Sequence, residues 1–225
     1  MANGTVRRRT PVARARVRAT TGRARATSTR PVWRIEPLTP ERWDDLVALF
    51  GPNGACGGCW CMWMRRPLAA FRAGKGAGNR RALHALVKQG PPGLIAYVGD
   101  EPVGWVAVAP REVYTRLANS RVLAPVPGEG VWAAPCFFVK AGHRGRGLHG
   151  ALLAAASAYA RAQGARSLEG YPNVDTKTRQ PAAFVFSGFE STFRASGFRE
   201  VARRSPKRPI LRRTWRATAS GGPRG

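Results

Sequence analysis

The stretch CFFVKAGHRGRGLHGALLAAASAYARAQ, Cys136 to Gln163, decides the fold. It opens on an apolar run, Cys136 to Val139, of the length of a buried strand. Lys140 to Arg144 turn the chain, and a glycine-spaced segment follows, Arg144-Gly145-Arg146-Gly147-Leu148-His149-Gly150. Leu148, Leu152, Ala155, Ala156 and Tyr159 then recur at helical spacing, and Gly164 stands where a helix would stop. The reading is strand, glycine-rich loop, helix. The first N–H groups of a helix have no intrahelical partner, and the helix dipole places partial positive charge there. Glycines just before the helix let a phosphate approach the main chain. Arg144 and Arg146 add fixed charge, so the loop suits a diphosphate held by backbone amides.

Working outward, the 225 residues allow one domain of ordinary size plus tails. No apolar run reaches the about eighteen residues of a membrane helix. The N-terminus lacks the apolar core of a secretory signal. The four cysteines, Cys56, Cys59, Cys61 and Cys136, are too few and too clustered for a disulfide framework, and a reducing cytoplasm is expected. The formal charge of +26 lies mostly at the ends. Residues 1–30 hold nine arginines and no acid, and residues 199–225 hold nine basic residues against Glu200. Residues 1–30 carry too little apolar bulk to offset ordering entropy and are expected to be disordered. This basic N-terminus suits nucleic acid or another anionic surface. A flexible tail is expected over 216–225.

Upstream, Val32 to Ile35 predicts a strand. Thr39-Pro40-Glu41 starts a helix with the apolar stripe Trp43, Leu46, Val47 and Phe50, ended by Gly51-Pro52. Cys56-Gly-Gly-Cys59-Trp-Cys61-Met-Trp-Met-Arg65 raises zinc or redox chemistry, but no second ligand pair follows at a useful distance, so no metal is expected. The segment reads instead as a wall rich in sulfur and tryptophan. Residues 72–79 read as a flexible linker, after which Asn79 caps a helix burying Leu83, Leu86 and Val87. Leu94 to Val98 and Val103 to Val108 form a hairpin around Gly99-Asp-Glu-Pro102. Val131 to Val139 is the strand feeding the loop, with a bulge or break expected at Pro135. Downstream come a strand from Arg166 to Tyr171, a loop over 173–183, a short helix near Glu190 to Arg194, and strands from Phe198 to Ala202 and Pro209 to Arg213.

Arg144-x-x-Gly147 between an apolar strand and an Ala/Leu-rich helix resembles the acetyl-CoA loop of the GCN5-related N-acetyltransferases, the GNAT family. The family pattern continues with one residue and then Gly or Ala; here His149 stands in that place and Gly150 follows. Ser191-Thr-Phe-Arg-Ala-Ser-Gly197-Phe198 resembles the family's closing signature, and the Cys-Trp-Cys-Met-Trp segment before the hairpin resembles that of a subgroup of the family. The resemblance covers roughly 32–215 and implies a GNAT domain over 31–215. It implies an α/β fold: a mixed, mostly antiparallel sheet flanked by helices and splayed at two strands around the coenzyme.

The implied reaction is direct attack of a primary amine on acetyl-CoA, with the acceptor unidentified and no metal. The implied coenzyme residues are Phe138, Val139, Arg144, Gly145, Arg146, Gly147, His149 and Gly150. A backbone N–H near Phe138 or Val139 would polarise the thioester carbonyl. Glu169 is the leading candidate base, ahead of Glu112, Glu129 and Asp175. Many family members place a tyrosine acid where this chain has Phe193, so Ser191, Thr192, Tyr171 or water would serve, or no acid is needed. The Cys-rich wall would line the acceptor side. Monomer and homodimer both fit. The competing reading is a nucleic-acid-binding protein with a catalytically inactive core of this fold.

Overall fold

The structure is a computed structural model that describes Met1, residues 32–176, Pro181 and residues 185–215. The expectations for the Arg-rich extension and the C-terminal tail fall outside these residues. Seven strands form one sheet: β1 (Arg34–Pro37), β2 (Gly93–Val98), β3 (Glu101–Pro110), β4 (Val131–Val139), β5 (Ser167–Gly170), β6 (Arg199–Arg203) and β7 (Pro209–Thr214). The order is β1-β2-β3-β4-β5-β7-β6. Every neighbouring pair is antiparallel except β4 and β5. Among the described residues six α-helices accompany it: α1 (Trp43–Phe50), α2 (Leu68–Ala73), α3 (Ala77–Val87), α4 (Thr115–Ala118), α5 (Leu148–Ala162) and α6 (Glu190–Ala195). None of the described helices is long and apolar enough to cross a membrane.

The central strands β2 and β3 read as continuous apolar runs because both faces of the sheet are covered. On one face α5 lays Leu148, Leu152, Leu153, Ala156 and Ala160 against Val103, Val106, Ala134 and Phe137. On the other, Leu46 and Phe50 of α1, Leu83 and Val87 of α3, and Trp60, Cys61 and Met62 pack on Ile95, Tyr97 and Trp105. A third cluster, with Met64, Tyr114, Leu117, Ala133 and Tyr171, lies nearer β5. Burying side chains of this size contributes about 1.5–3 kcal/mol each.

Two local expectations change. Residues 72–79 are not a linker, since α2 and α3 meet across them with only a short turn between. Asn79 is not a cap: α3 begins at Ala77 after Gly76 (φ +78°). Asn79 is fully buried, donates to the Gly58 and Phe71 carbonyls, and accepts from Arg66 at 3.0 Å. It ties the Cys-rich loop to the two helices. That loop is tightly wound, with Ala55, Trp60 and Cys61 all at positive φ.

Candidate active site at the fork between two strands

β4 and β5 pair only from Val131 to Ala133, opposite Ser167 to Glu169. β4 stays paired with β3 as far as Val139, opposite Gly104. Between Ala133 and Cys136 it takes in one extra residue while β3 advances from Ala109 to Ala107. This is the bulge that Pro135 predicted, and a bulge bends the strand that carries it. The two parallel strands part there.

Beyond the bulge the backbone direction is fixed by two bonds. Lys140 N–H donates to Val103 O of β3 at 2.9 Å, and Phe137 N–H donates away from β3, to Phe186 O at 2.6 Å. Successive strand N–H groups point to opposite edges. Val139 therefore points into the fork with Phe137, and Phe138 points to β3. The expectation for Phe138 as a main-chain donor is corrected: its N–H serves the sheet, and its ring packs on Phe50, 5.6 Å between centroids. The fork-facing pair is Phe137 and Val139.

At the far end of β4 the loop arrives at α5. Gly145 (φ +72°) and Gly147 (φ +87°) hold conformations that other residues adopt only with strain. The first N–H to close a turn is that of Ala151, onto Gly147 O at 3.2 Å. Among the described residues, the N–H groups of Leu148, His149 and Gly150 have no acceptor. Arg144, Gly145, Arg146 and Gly147 are exposed, and a side chain at Gly145 would meet nothing within 4 Å. Arg144 Nε donates back to Val139 O at 2.9 Å, joining the loop to the strand end. Trp33, which the sequence did not single out, reaches the place a Gly147 side chain would occupy, at 3.7 Å.

His149 does not face that open loop. Its ring lies inward, 4.3 Å from Phe137 and 5.8 Å from Phe193. The ring covers Gly188 so closely that any side chain there would collide. Burial pushes its pKa down to about 4, and its Nε2 has no partner. It is a neutral packing residue here. Above it the chain spans the fork: Phe186 O takes the Phe137 N–H, and Gly188 O takes the Asn173 N–H at 2.9 Å. Asn173 O takes the Glu190 N–H at 2.8 Å.

The family model described as the acetyltransferase (GNAT) family matches residues 60–185, more than half of the chain. The chain belongs to this family of acetyltransferases. No curated protein shows significant sequence similarity to it. Among solved structures, it resembles a PaiA N-acetyltransferase from Thermoplasma acidophilum in complex with coenzyme A. That pair is 11% identical at TM-score 0.48, covering 82% of this chain and 99% of that one. A GCN5-related N-acetyltransferase from Kribbella flavida is 19% identical at TM-score 0.48, covering 81% and 98%. YncA from Salmonella typhimurium, with its cofactor acetyl-CoA, is 13% identical at TM-score 0.49, covering 85% and 98%.

In this acetyltransferase Gly145, Gly147 and Gly150 also spell the dinucleotide spacing Gly-x-Gly-x-x-Gly. That fingerprint belongs to a parallel sheet and needs an acid free to meet a ribose. The sheet here is antiparallel apart from one pair, and the acid at the end of the next strand, Glu169, is sealed. Glu169 is fully buried. Its Oε1 accepts from Arg111 at 3.3 Å and from Arg212 Nε at 3.0 Å, and its Oε2 accepts from Tyr171 at 2.8 Å. The same two arginines hold the Val126 carbonyl. Both carboxylate oxygens are taken by these donors and neither is open to the fork, so the geometry gives Glu169 a structural tie in place of the expected role as base.

Ser191 is likewise engaged: Asp175 takes its N–H at 2.9 Å and its hydroxyl at 2.6 Å, capping α6. That pairing also occupies Asp175. Glu129 is bound to Arg166 at 2.6 Å. Burial and the Glu169 carboxylate push the Tyr171 hydroxyl well above its usual pKa, so it is a poor acid. Phe193 is fully buried, and its ring fills the space that only a glycine at Gly170 leaves open.

The face of β4 opposite α5 carries Cys136 and Phe138 against Phe50, Trp60, Cys61 and Trp105. Trp105 Nε1 donates to Cys61 Sγ at 3.2 Å. Burial pushes the Cys59 thiol up to about 11. Hydrogen bonding to Cys61, with burial, holds Cys136 well above the usual thiol range. Neither is poised as a nucleophile. Among the described residues no three His, Cys, Asp or Glu side chains converge as a metal site.

Proposed function

We propose that this chain transfers an acetyl group from acetyl-CoA to a primary amine bound together with it at the fork. The observation that carries the reading is the parting of β4 from β5 at Ala133, with the N–H groups of Phe137 and Val139 aimed into the gap. The gap runs on to the unpaired amides at the start of α5. The residues present fit the coenzyme. The α5 amides, with Arg144 and Arg146, suit its diphosphate, and the fork-facing N–H groups suit an amide-bearing arm. When bound, acetyl-CoA supplies an activated acetyl thioester.

The chain's own part is to bind, orient and polarise. Among the described residues Val139 N–H has no acceptor, and it is a donor for a carbonyl oxygen whose charge grows during transfer. Phe137 N–H, on the same edge of β4, is held by Phe186 O at 2.6 Å. Fixing the amine against such a carbonyl removes much of the entropic barrier. A thiol near pKa 8.5 leaves readily enough that no acid from the chain is required.

The test is thermal. Acetyl-CoA raises the melting temperature of the wild-type chain through mass action. In an Arg144→Ala, Gly147→Asp double variant that rise disappears. A shift that survives the double variant removes the loop from the site and the reading with it.

A further inference from the structure

We propose that the acceptor amine carries an oxyanion, a carboxylate or a phosphate, and that Arg116 receives it. The inference rests on the acetyl-transfer reading above and adds the substrate class.

Trp63 fixes the place. It is half-buried where two clusters meet, the one built on Met64, Ala133 and Tyr171 and the one built on Trp60, Cys61 and Trp105. Ala133 is the last residue of β4 paired with β5, so the first of these clusters reaches the root of the fork. That is where an acceptor would meet the fork. The Arg116 guanidinium lies 3.8 Å from the centre of the Trp63 ring. Two bonds hold α4 in that position: Arg116 N–H donates to Met64 O, and the Thr115 hydroxyl donates to Arg65 O, each at 3.2 Å.

Three other guanidiniums of these clusters are engaged. Arg65 donates to Pro92 O and the Tyr114 hydroxyl. Arg111 and Arg212 hold Glu169. Among the described residues the Arg116 side chain has no hydrogen bond and no ion pair. It is half-buried, so its charge is only partly screened. A guanidinium held over an indole ring spends no hydrogen-bond donor on it, and its free donors match a carboxylate or phosphate in a bidentate pair. Among the described residues, Glu169 is fully buried and already held by two arginines and a tyrosine, and Glu112, four residues before Arg116, is exposed to solvent. The surroundings therefore repel a polycation and favour an amine that carries its own negative group.

Two measurements test this with the full chain. The first is steady-state release of CoA with four primary amines: an amino acid, O-phosphoethanolamine, a neutral arylalkylamine and a polyamine. The anionic amines should show the lower KM, and comparing the first two separates carboxylate from phosphate. Arg116→Ala should raise KM for the preferred anionic amine about tenfold or more, with kcat and the acetyl-CoA thermal shift changed less than about twofold. Arg116→Lys should recover part of the loss. Preference for the polyamine or the neutral amine, or an unchanged KM in Arg116→Ala, overturns the proposal. The second measurement is tryptophan fluorescence of the coenzyme-free chain titrated with the same amino acid and with O-phosphoethanolamine. At least one should give a saturable change that Arg116→Ala abolishes; no change in the wild type with either overturns the proposal without reference to catalysis. A wild-type chain that binds neither acetyl-CoA nor its analogues speaks against the acetyl-transfer reading instead.

Discussion

The two faces of β4 are built from different materials. Along its fork edge and at the glycine loop next to α5, the proposed site is main chain: the N–H of Val139, that of Phe137 now held by Phe186 O, and the amides at the start of α5 that have no acceptor among the described residues. Toward α1 and α4 the wall is made of side chains drawn from separated stretches, Phe50, Trp60 to Met64, Tyr114, and Cys136 with Phe138, and the proposed acceptor contact belongs to it. A main-chain site is determined by where glycine lets the backbone go. A side-chain site is determined by what happens to fold against it, and it can change residue by residue without disturbing the fold.

The strongest test of this contrast is at the crotch of the fork. Glu169 and its arginines hold the loop around Val126 and belong to the architecture that both faces share. Glu169→Ala leaves two guanidiniums facing each other without their counter-charge, and removing one partner of a buried pair costs about 3–5 kcal/mol. Urea unfolding should show that loss, while kcat per folded molecule stays within about threefold. A collapse of kcat at an unchanged midpoint would return Glu169 to the chemistry.

Next in size is the glycine loop. Gly147→Asp strains a left-handed position and sets a carboxylate beside the anion site, so acetyl-CoA affinity should fall about a hundredfold or more. Arg146→Ala removes an exposed charge and should cost about tenfold or less. Calorimetric titration of both variants measures the difference. Equal losses would mean that side chains, not amides, carry this face.

Legibility follows the same division. The loop, the hairpin, the bulge at Pro135 and the long helix were readable because glycine, proline and apolar period act locally. The mixed sheet splayed at two strands came from the family resemblance, and the pairing shows it. The direction of each N–H in β4 was not readable, since the bulge shifts the alternation by one residue; hence Phe138 stood in for Phe137. The engagement of Glu169 was also hidden. Its partners Arg111 and Arg212 lie 58 and 43 residues away, and nothing in the spacing announces them. Arg116 on Trp63 is hidden for the same reason.

His149 gives a pH test of the α5 face. Its pKa in the folded chain, about 4, lies below the unfolded value near 6.5. The unfolded chain therefore takes up a proton first as pH falls. The stability this residue contributes is complete above about pH 6.5 and is lost progressively as pH falls towards 4, by about 2 kcal/mol at pH 5. His149→Phe keeps a ring between Phe137 and Phe193 and removes the titration. The slope of melting temperature against pH between about 4 and 6.5 should flatten in that variant. A slope unchanged from wild type would mean that the imidazole is solvated, and that the space beneath Gly188 is open rather than packed.

The smallest effect separates chemistry from packing. Phe193 stands where the family resemblance places a tyrosine acid, yet its ring is fully buried with its tip against Gly170. Phe193→Tyr adds a hydroxyl to that space, and an unpaired buried hydroxyl costs about 1–3 kcal/mol. Stability should fall modestly and kcat should stay within about threefold, because a thiolate leaves without assistance near neutral pH. A tenfold rise in kcat would mean that the missing acid limits the reaction. The inward-facing Phe193 would then be a catalytic loss accepted for packing on the α5 face, and that face would depend on side-chain chemistry after all.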